Sequence, residues 1–455
     1  MEVIQDFVPL KKSGAQYKGI SPWTNEKTGS LMVSPAKGIW KDFSSGKGGN
    51  SAVSFVMEKI GCPYPEAIEW LAKKYAIDVE YEDSKQAKAH HEKEEKREAL
   101  RPLLEATIRK YEEQFHALPE DHPAKLEVYG KRQYTKEIAE QYRIGYAPGQ
   151  KFLFNLCKEQ GRLKDAQEIG LVSETNDKWV DRVIYPLIER KGSSLLPVGL
   201  AGRRLSEDDK YAKWMNSSES ELYHKDAFWY GMQEARETIV KKGEAWLVEG
   251  YNDVIAWQTH GIKNTIASCG TSIADRQIKL LKKLTDHIVF CLDPDPAGIK
   301  AMLRYIPEFM KNGFRVQLAQ LPEGVDPDDY VRTEGMDMKA IQTTENRIDG
   351  FKFLMDHSFK NKDAVGIAQE AKKLTEIISK IDDEAMQAIY LEWLKKESGT
   401  PSAQLKKYLK YNEIKDIEVT SENDEFYILP KGIKEPLEKF RKTIEQYEMF
   451  QANNQ

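Results

Sequence analysis

Five acidic residues stand at the ends of apolar runs. Glu249 closes the run in AWLVEGYNDVIAW, Asp293 and Asp295 close HIVFCLDPDPAG, and Asp326 and Asp328 lie in LPEGVDPDDYV. Asp293 and Asp295 are one proline apart and point into one small volume. Two carboxylates about 4 Å apart repel by about 4 kcal/mol at an effective dielectric near 20. One of them takes up a proton, or a hard divalent cation such as Mg²⁺ resolves the conflict. Five carboxylates suffice for one or two such ions, and two-metal sites polarise the attacking and leaving oxygens of phosphoryl transfer. The same residue type is also favoured at helix caps, so capping is the competing reading of each acid taken alone.

The runs that carry these acids are short, and they alternate with helical patterns. The spacing predicts strands at 245–249, 264–268, 287–292 and 314–320, with helices at 252–260, 273–284 and 298–311. That alternation specifies βαβ units and a parallel sheet. In an open parallel sheet the ligand crevice lies beyond the carboxyl ends of the strands, where the acids fall. Gly250 and Gly298 follow the acids closely and fit tight strand-to-helix turns.

The chain has 455 residues, 40% hydrophobic and 31% charged, with a formal charge of −5. Length and composition indicate several domains with ample cores. The net charge offers no global attraction for nucleic acid, so any such binding must use local basic patches. No apolar run is long enough to span a bilayer, the N-terminus lacks the apolar segment of a secretory signal, and a membrane partner is not expected. Cys62, Cys157, Cys269 and Cys291 are scattered without a C-x-x-C pair, which suits a reducing cytoplasm. No internal repeat and no G-x-x-x-x-G-K-[ST] motif is present. Six segments are expected: a strand-rich unit at 1–80, a charged linker at 81–99, a mixed α+β unit at 100–242, the βα unit at 243–340, a helical subdomain at 341–412, and a tail at 413–455 with a loop at 415–430 and an amphipathic helix from about Pro436.

EGYND followed by DPDPAG resembles the Toprim domain shared by DnaG-type primases, topoisomerases and some nucleases. DRVIYPL, GLAGRRL and KWMNSSESELYHKDAFWYG resemble the segment that precedes Toprim in the primases, KRQYTKEIAEQYRIGYAPG the helical entry to that core, and LPEGVDPDDYVRTEG its third acidic motif. The similarity runs collinearly over roughly residues 1–400. It implies an α/β and α+β multidomain chain, with a zinc-ribbon-like N-terminal domain, a primase core whose Toprim subdomain is a Rossmann-like parallel sheet, and a helical C-terminal region. The implied activity is template-directed synthesis of short RNA primers on single-stranded DNA from nucleoside triphosphates, with Mg²⁺ or Mn²⁺. Glu249, Asp293 and Asp295 would be the catalytic, metal-holding acids, completed by Asp326 and Asp328. Arg132, Arg203 or Arg204, Lys213, Asn216 and Lys225 would hold template and triphosphate. In the family the helical region after the core docks on the replicative helicase within the primosome. The final helix here fits a docking helix or a packed end helix. A metal-dependent Toprim nuclease and a non-catalytic DNA-binding replication subunit are the alternatives.

The resemblance breaks at one place. Family N-terminal domains hold zinc through C-x-x-H and C-x-x-C, and the matching positions here are Ser21, Thr24, Asp42 and Ser45. Hydroxyls are not usual structural zinc ligands, and one Asp cannot complete a four-coordinate site. The expectation is a zinc-ribbon-like domain without zinc, packed instead by Trp23, Trp40, Phe43 and Phe55. Lys11, Lys12, Lys18, Lys27, Lys41 and Lys47, with exposed aromatics, would let it engage single strands by charge and stacking.

Overall fold

The computed structural model describes residues 1–409, except Asn25, 62–63, 76–84, 192–193, 207–209, Cys269, Thr271, Glu323, 334–337, 344–345 and Asp382. The expected 413–455 tail, with its loop and last helix, lies outside the described residues. The chain forms two compact units, Met1–Asp356 and the part from His357 onward.

The first unit contains three sheets. The N-terminal sheet is an antiparallel meander of β1 (Lys11–Ser13), β2 (Gln16–Gly19), β3 (Leu31–Ser34), β4 (Ile39–Asp42) and β5 (Gly48–Gly49). Three helices accompany it: α1 (Glu2–Gln5), α2 (Ala52–Val56) and α3 (Tyr64–Tyr75). Its core is aromatic. Trp23 and Trp40 stack at 5.4 Å, and Phe55 sets an edge against each, at 5.4 and 5.1 Å. Phe43, expected in this core, is 70% exposed. Alternation along the strand explains the reversal: Trp40 and Asp42 face inward, Ile39 and Lys41 outward, and Phe43 follows on the outer face.

Residues 85–99, expected as a charged linker, are helical. They form the first half of α4 (Lys85–Ala117). The segment holds no Gly or Pro and is rich in Lys, Glu and Ala, which favour helix without burial. Burial begins at Leu100 and continues through Leu104, Ile108, Tyr111 and Phe115, a single helical stripe. Short helices α5 (Pro123–Lys125) and α6 (Lys136–Gln141) follow, then β6 (Gly145–Ala147), α7 (Phe152–Glu159) and α8 (Leu163–Glu168). The second sheet is antiparallel in the order β6, β7 (Arg182–Lys191), β8 (Ser194–Arg204), β9 (Trp214–Asn216).

After α9 (Met232–Lys242) comes the third sheet. Its strands are β10 (Ala245–Val248), β11 (Thr265–Ala267), β12 (His287–Phe290), β13 (Arg315–Ala319) and β14 (Arg347–Asp349), in the order β11-β10-β12-β13-β14. The first four are parallel and β14 is antiparallel. Helices α10 (Tyr251–Thr259), α11 (Asp275–Lys282), α12 (Pro296–Lys311) and α13 (Pro327–Arg332) connect or follow the strands. All four residues of β10 are buried, as continuous apolar strands in a covered parallel sheet must be. The predicted strands and helices of this region recur within a few residues. Helix α14 (Gly350–Phe359) crosses the boundary between the units. The second unit contains α15 (Ala364–Ser379) and α16 (Glu384–Ser398), which pack on each other and are capped by Asp363 and Asp383. Among the described residues, no helix is long and apolar enough to cross a membrane.

Candidate active site

The sheet order fixes where the site must lie. From β10 the chain crosses to β11 on one side, then returns past β10 to β12 on the other. The carboxyl ends of β10 and β12 are therefore the topological switch point, where a crevice opens. Leu247 pairs with Phe290 in this register, so Glu249 and Asp293 emerge side by side. The Asp293 amide donates to Glu249 Oε1 at 3.1 Å. Gly298 is required here: a Cβ at this position would meet the Asp293 carbonyl oxygen at 2.1 Å and Glu249 Oε1 at 3.0 Å.

The acids raise one another. Burial pushes the Asp293 carboxyl up to about 7, reinforced by the charges of Glu249, Asp326, Asp295 and Asp328. Burial also raises Glu249, with Asp295 adding to the effect against the Asp293 amide. Asp253 was not singled out from sequence, yet it belongs to the same field. Burial and the charge of Asp328 carry it to about 7, although it accepts from the Gly250 amide at 2.8 Å. Its sequence signal was its position four residues after Glu249, at the far end of EGYND.

Asp295 and Asp326 are helix caps in this arrangement. Asp295 accepts from the Gly298 amide at 2.7 Å at the start of α12, and Asp326 from the Asp329 amide at 2.6 Å at the start of α13. Asp328 is buried. Its Oδ2 pairs with Arg132 and Arg332, while its Oδ1 is buried without a hydrogen-bond partner among the described residues. Helix α10 is pinned to α13 by Trp257, whose indole donates to the Pro327 carbonyl at 2.8 Å. The β10 acids and the third acidic loop are thus held by one helix pair.

The basic residues separate into two groups. Arg132 and Arg203 are largely buried and share Glu127, with Nε–Oε1 distances of 3.0 and 2.7 Å. Arg203 also lies over the Trp214 ring at 5.7 Å. Trp214 in turn packs on Tyr251 at 4.9 Å, and the Tyr251 hydroxyl donates to Asn216 Oδ1 at 2.7 Å. Arg132, Arg203 and Asn216 therefore form one wall against the helix that follows Glu249. Arg204 points the other way, to the carbonyls of Ser206 (2.8 Å) and Tyr211. Lys213 is exposed, and Lys225 lies against Gly270, beyond the carboxyl end of β11. Glu127 and Trp214 were missed in the sequence because nothing local marks their pairing with Arg203, whereas Arg332 was marked by its i,i+4 spacing from Asp328.

Residues 246–331 match the Toprim-like family, 111–236 the DNA primase catalytic core N-terminal domain, and 1–87 the CHC2 zinc finger. A DNA primase of Pseudomonas aeruginosa is 35% identical over 356 residues, covering 76% of this chain and 52% of that protein. A solved DNA primase domain from Pseudomonas aeruginosa is 30% identical with a TM-score of 0.61, covering 68% of this chain and 99% of that one. This chain belongs to the DnaG-type DNA primase family. The likeness extends beyond the primase core: the Aquifex aeolicus primase, comprising zinc-binding and RNA polymerase domains, is 29% identical with a TM-score of 0.58, over 89% of this chain and 95% of that one. A DnaG primase catalytic domain solved bound to single-stranded DNA is 26% identical with a TM-score of 0.58, over 68% of this chain and 99% of that one. The chain spans about half the length of the Pseudomonas primase.

Membership of the primase family implies two metals. A Toprim domain implies a divalent cation, and the residues fit one: a cluster of mutually raised carboxyls and an unpartnered buried Asp328 oxygen. Among the described residues no three carboxylate, imidazole or thiolate groups stand in a finished cage, in keeping with the capping roles of Asp295 and Asp326. The CHC2 match implies zinc, and there the residues do not fit. Ser21, Thr24, Asp42 and Ser45 are joined directly or through Ser44 by hydrogen bonds among themselves.

Proposed function

We propose that this chain is a DNA primase, which makes short RNA primers on single-stranded DNA from nucleoside triphosphates in the cytoplasm. The observation that carries the reading is the pairing of Glu249 with Asp293 at the switch point of a Toprim-like sheet, beside the Arg132–Arg203–Asn216 wall. The 3′-hydroxyl of one ribonucleotide attacks the α-phosphate of the next, and pyrophosphate leaves. Glu249, Asp293 and Asp295 would hold Mg²⁺ or Mn²⁺, with Asp326 and Asp328 completing the acidic field. A cation bound there supplies charge neutralisation at the transferring phosphoryl group.

The chain's own residues do the positioning. Arg204, Lys213 and Lys225 stand at or near the surface and neutralise template or triphosphate charge. Arg132, Arg203 and Asn216 form the wall that would hold template and triphosphate, positioned by Glu127, Asp328 and Tyr251. The N-terminal unit works without zinc and presents Lys11, Lys12, Lys18 and Lys41 to single strands. The family resemblance implies a replicative helicase as a further partner.

The test is primer synthesis from labelled nucleotides on random single-stranded DNA, with a nuclease control. The expected result is template-dependent primers, reduced at least about a hundredfold by Asp293→Ala. Strand cleavage without synthesis would favour the Toprim nuclease instead, and binding without either would favour a non-catalytic subunit.

A further inference from the structure

The four positions where the CHC2 family implies zinc ligands are knotted together by oxygen. Asp42, fully buried, is the centre. Its Oδ2 accepts from Ser21 Oγ at 2.8 Å, from the Ser45 amide at 3.1 Å and from the Ser45 hydroxyl. Its Oδ1 lies 2.7 Å from Ser30 Oγ. Ser21 Oγ in turn accepts from the Trp23 and Thr24 amides, both at 3.2 Å. Thr24 Oγ1 reaches Ser44 Oγ at 2.6 Å, and Ser44 Oγ lies 3.2 Å from Asp42 Oδ2. Glu26 closes the outer side, accepting from the Ser21 amide at 2.7 Å and the Ser30 amide at 2.9 Å.

A buried carboxylate without donors is strongly disfavoured. Here both oxygens are supplied: Ser21 and Ser45 donate from the two segments a zinc ion would otherwise tie together, the turn after β2 and the turn after β4, and Ser30, just before β3, donates to the other oxygen. Burial alone would raise the Asp42 carboxyl, yet the donors hold it below the ordinary carboxylate range. An ion at this point would have to displace every one of these donors and would meet no thiolate or imidazole.

We propose that this hydrogen-bonded carboxylate knot centred on Asp42 takes the structural place of zinc, so that the N-terminal unit folds independently of metal. The proposal rests on the zinc-free reading above and goes further, because it assigns the residues that replace the ion.

The experiment uses the whole 455-residue chain. Zinc is measured by elemental analysis after expression in zinc-supplemented medium, and amide hydrogen exchange is followed in peptides covering residues 16–49, with and without EDTA. The expected result is substoichiometric zinc and exchange unchanged by EDTA. Stoichiometric zinc, or protection lost on chelation, overturns the zinc-free reading and the proposal together. Asp42→Asn preserves shape but turns an acceptor into a donor facing the serine hydroxyls. It is expected to lower protection in these peptides by roughly tenfold, while peptides of the Toprim-like sheet are unchanged. Ser45→Ala keeps the backbone donor and is expected to have a smaller effect in the same peptides. Zinc-free protein in which neither substitution alters exchange overturns the knot while leaving the zinc-free reading standing.

Discussion

Asp293 is a carboxyl whose ionisation the fold resists. Its pKa is raised by burial and by neighbouring acids to about 7, against about 3.9 in an unfolded chain. The folded state thus binds its proton more tightly than the unfolded state. Without metal, the chain loses stability as pH rises from about 4 through 7, and the loss is complete above that. Asp293→Asn removes the charge. In EDTA at pH 8 it should unfold about 1–2 kcal/mol less readily than the parent, a figure already discounted for solvent screening. With Mg²⁺ added, the parent should gain thermal stability and the variant should not. Thermal melts with and without Mg²⁺ at two pH values check both signs. A second residue-scale expectation concerns Glu127, which two buried guanidinium groups share. Glu127→Gln leaves Arg203 without its carboxylate and Arg132 with Asp328 alone, and should destabilise the chain by about 3 kcal/mol in urea unfolding.

At the scale of elements, the acids are placed by two close approaches. One is α12 against the β12 turn at Gly298. Gly298→Ala inserts a methyl into the space of the Asp293 carbonyl and the Glu249 carboxylate. The turn must move, and primer synthesis should fall at least about tenfold, because sub-ångström placement governs such sites. Metal titration should show weakened binding, and the melting temperature should fall as well, because the obstructing atom is backbone. The other is α10 against α13 through Trp257. These strand ends were legible in the sequence because buried parallel strands read as apolar runs with an abrupt polar stop. Other features were not legible, for stated physical reasons. Arg203 and Arg204 are adjacent and chemically alike, and only the pleat of β8 sends one to Glu127 and the other to a loop. Phe43 has a core residue's chemistry but falls on the outer phase of its strand. Residues 85–99 lack the apolar stripe by which a helix announces itself, and are held by propensity together with long-range bonds from Glu94 to Lys191 and from Arg97 to the Glu221 carbonyl.

For the whole molecule, the formal charge of −5 means that binding to single strands must be local. On the proposed reading, Lys225, beyond the end of β11, and the lysines of the N-terminal sheet would be the places for it. Affinity should fall linearly with salt on logarithmic axes, and Lys225→Ala should lessen the slope by about 0.7, the share of one phosphate contact. Fluorescence anisotropy with a labelled oligonucleotide across a salt series measures it. An unchanged slope would place Lys225 away from the strand.

The knot around Asp42 also changes what the molecule asks of its surroundings. If it stands in for zinc as proposed, its parts are all encoded, and it is complete as soon as the chain is made, with no ion to be delivered and none to be lost. Thiolates are open to peroxide, whereas serine hydroxyls do not enter that ladder of oxidation. On the proposed zinc-free reading, an N-terminal unit built this way would keep its shape in a cell starved of zinc or under oxidative attack.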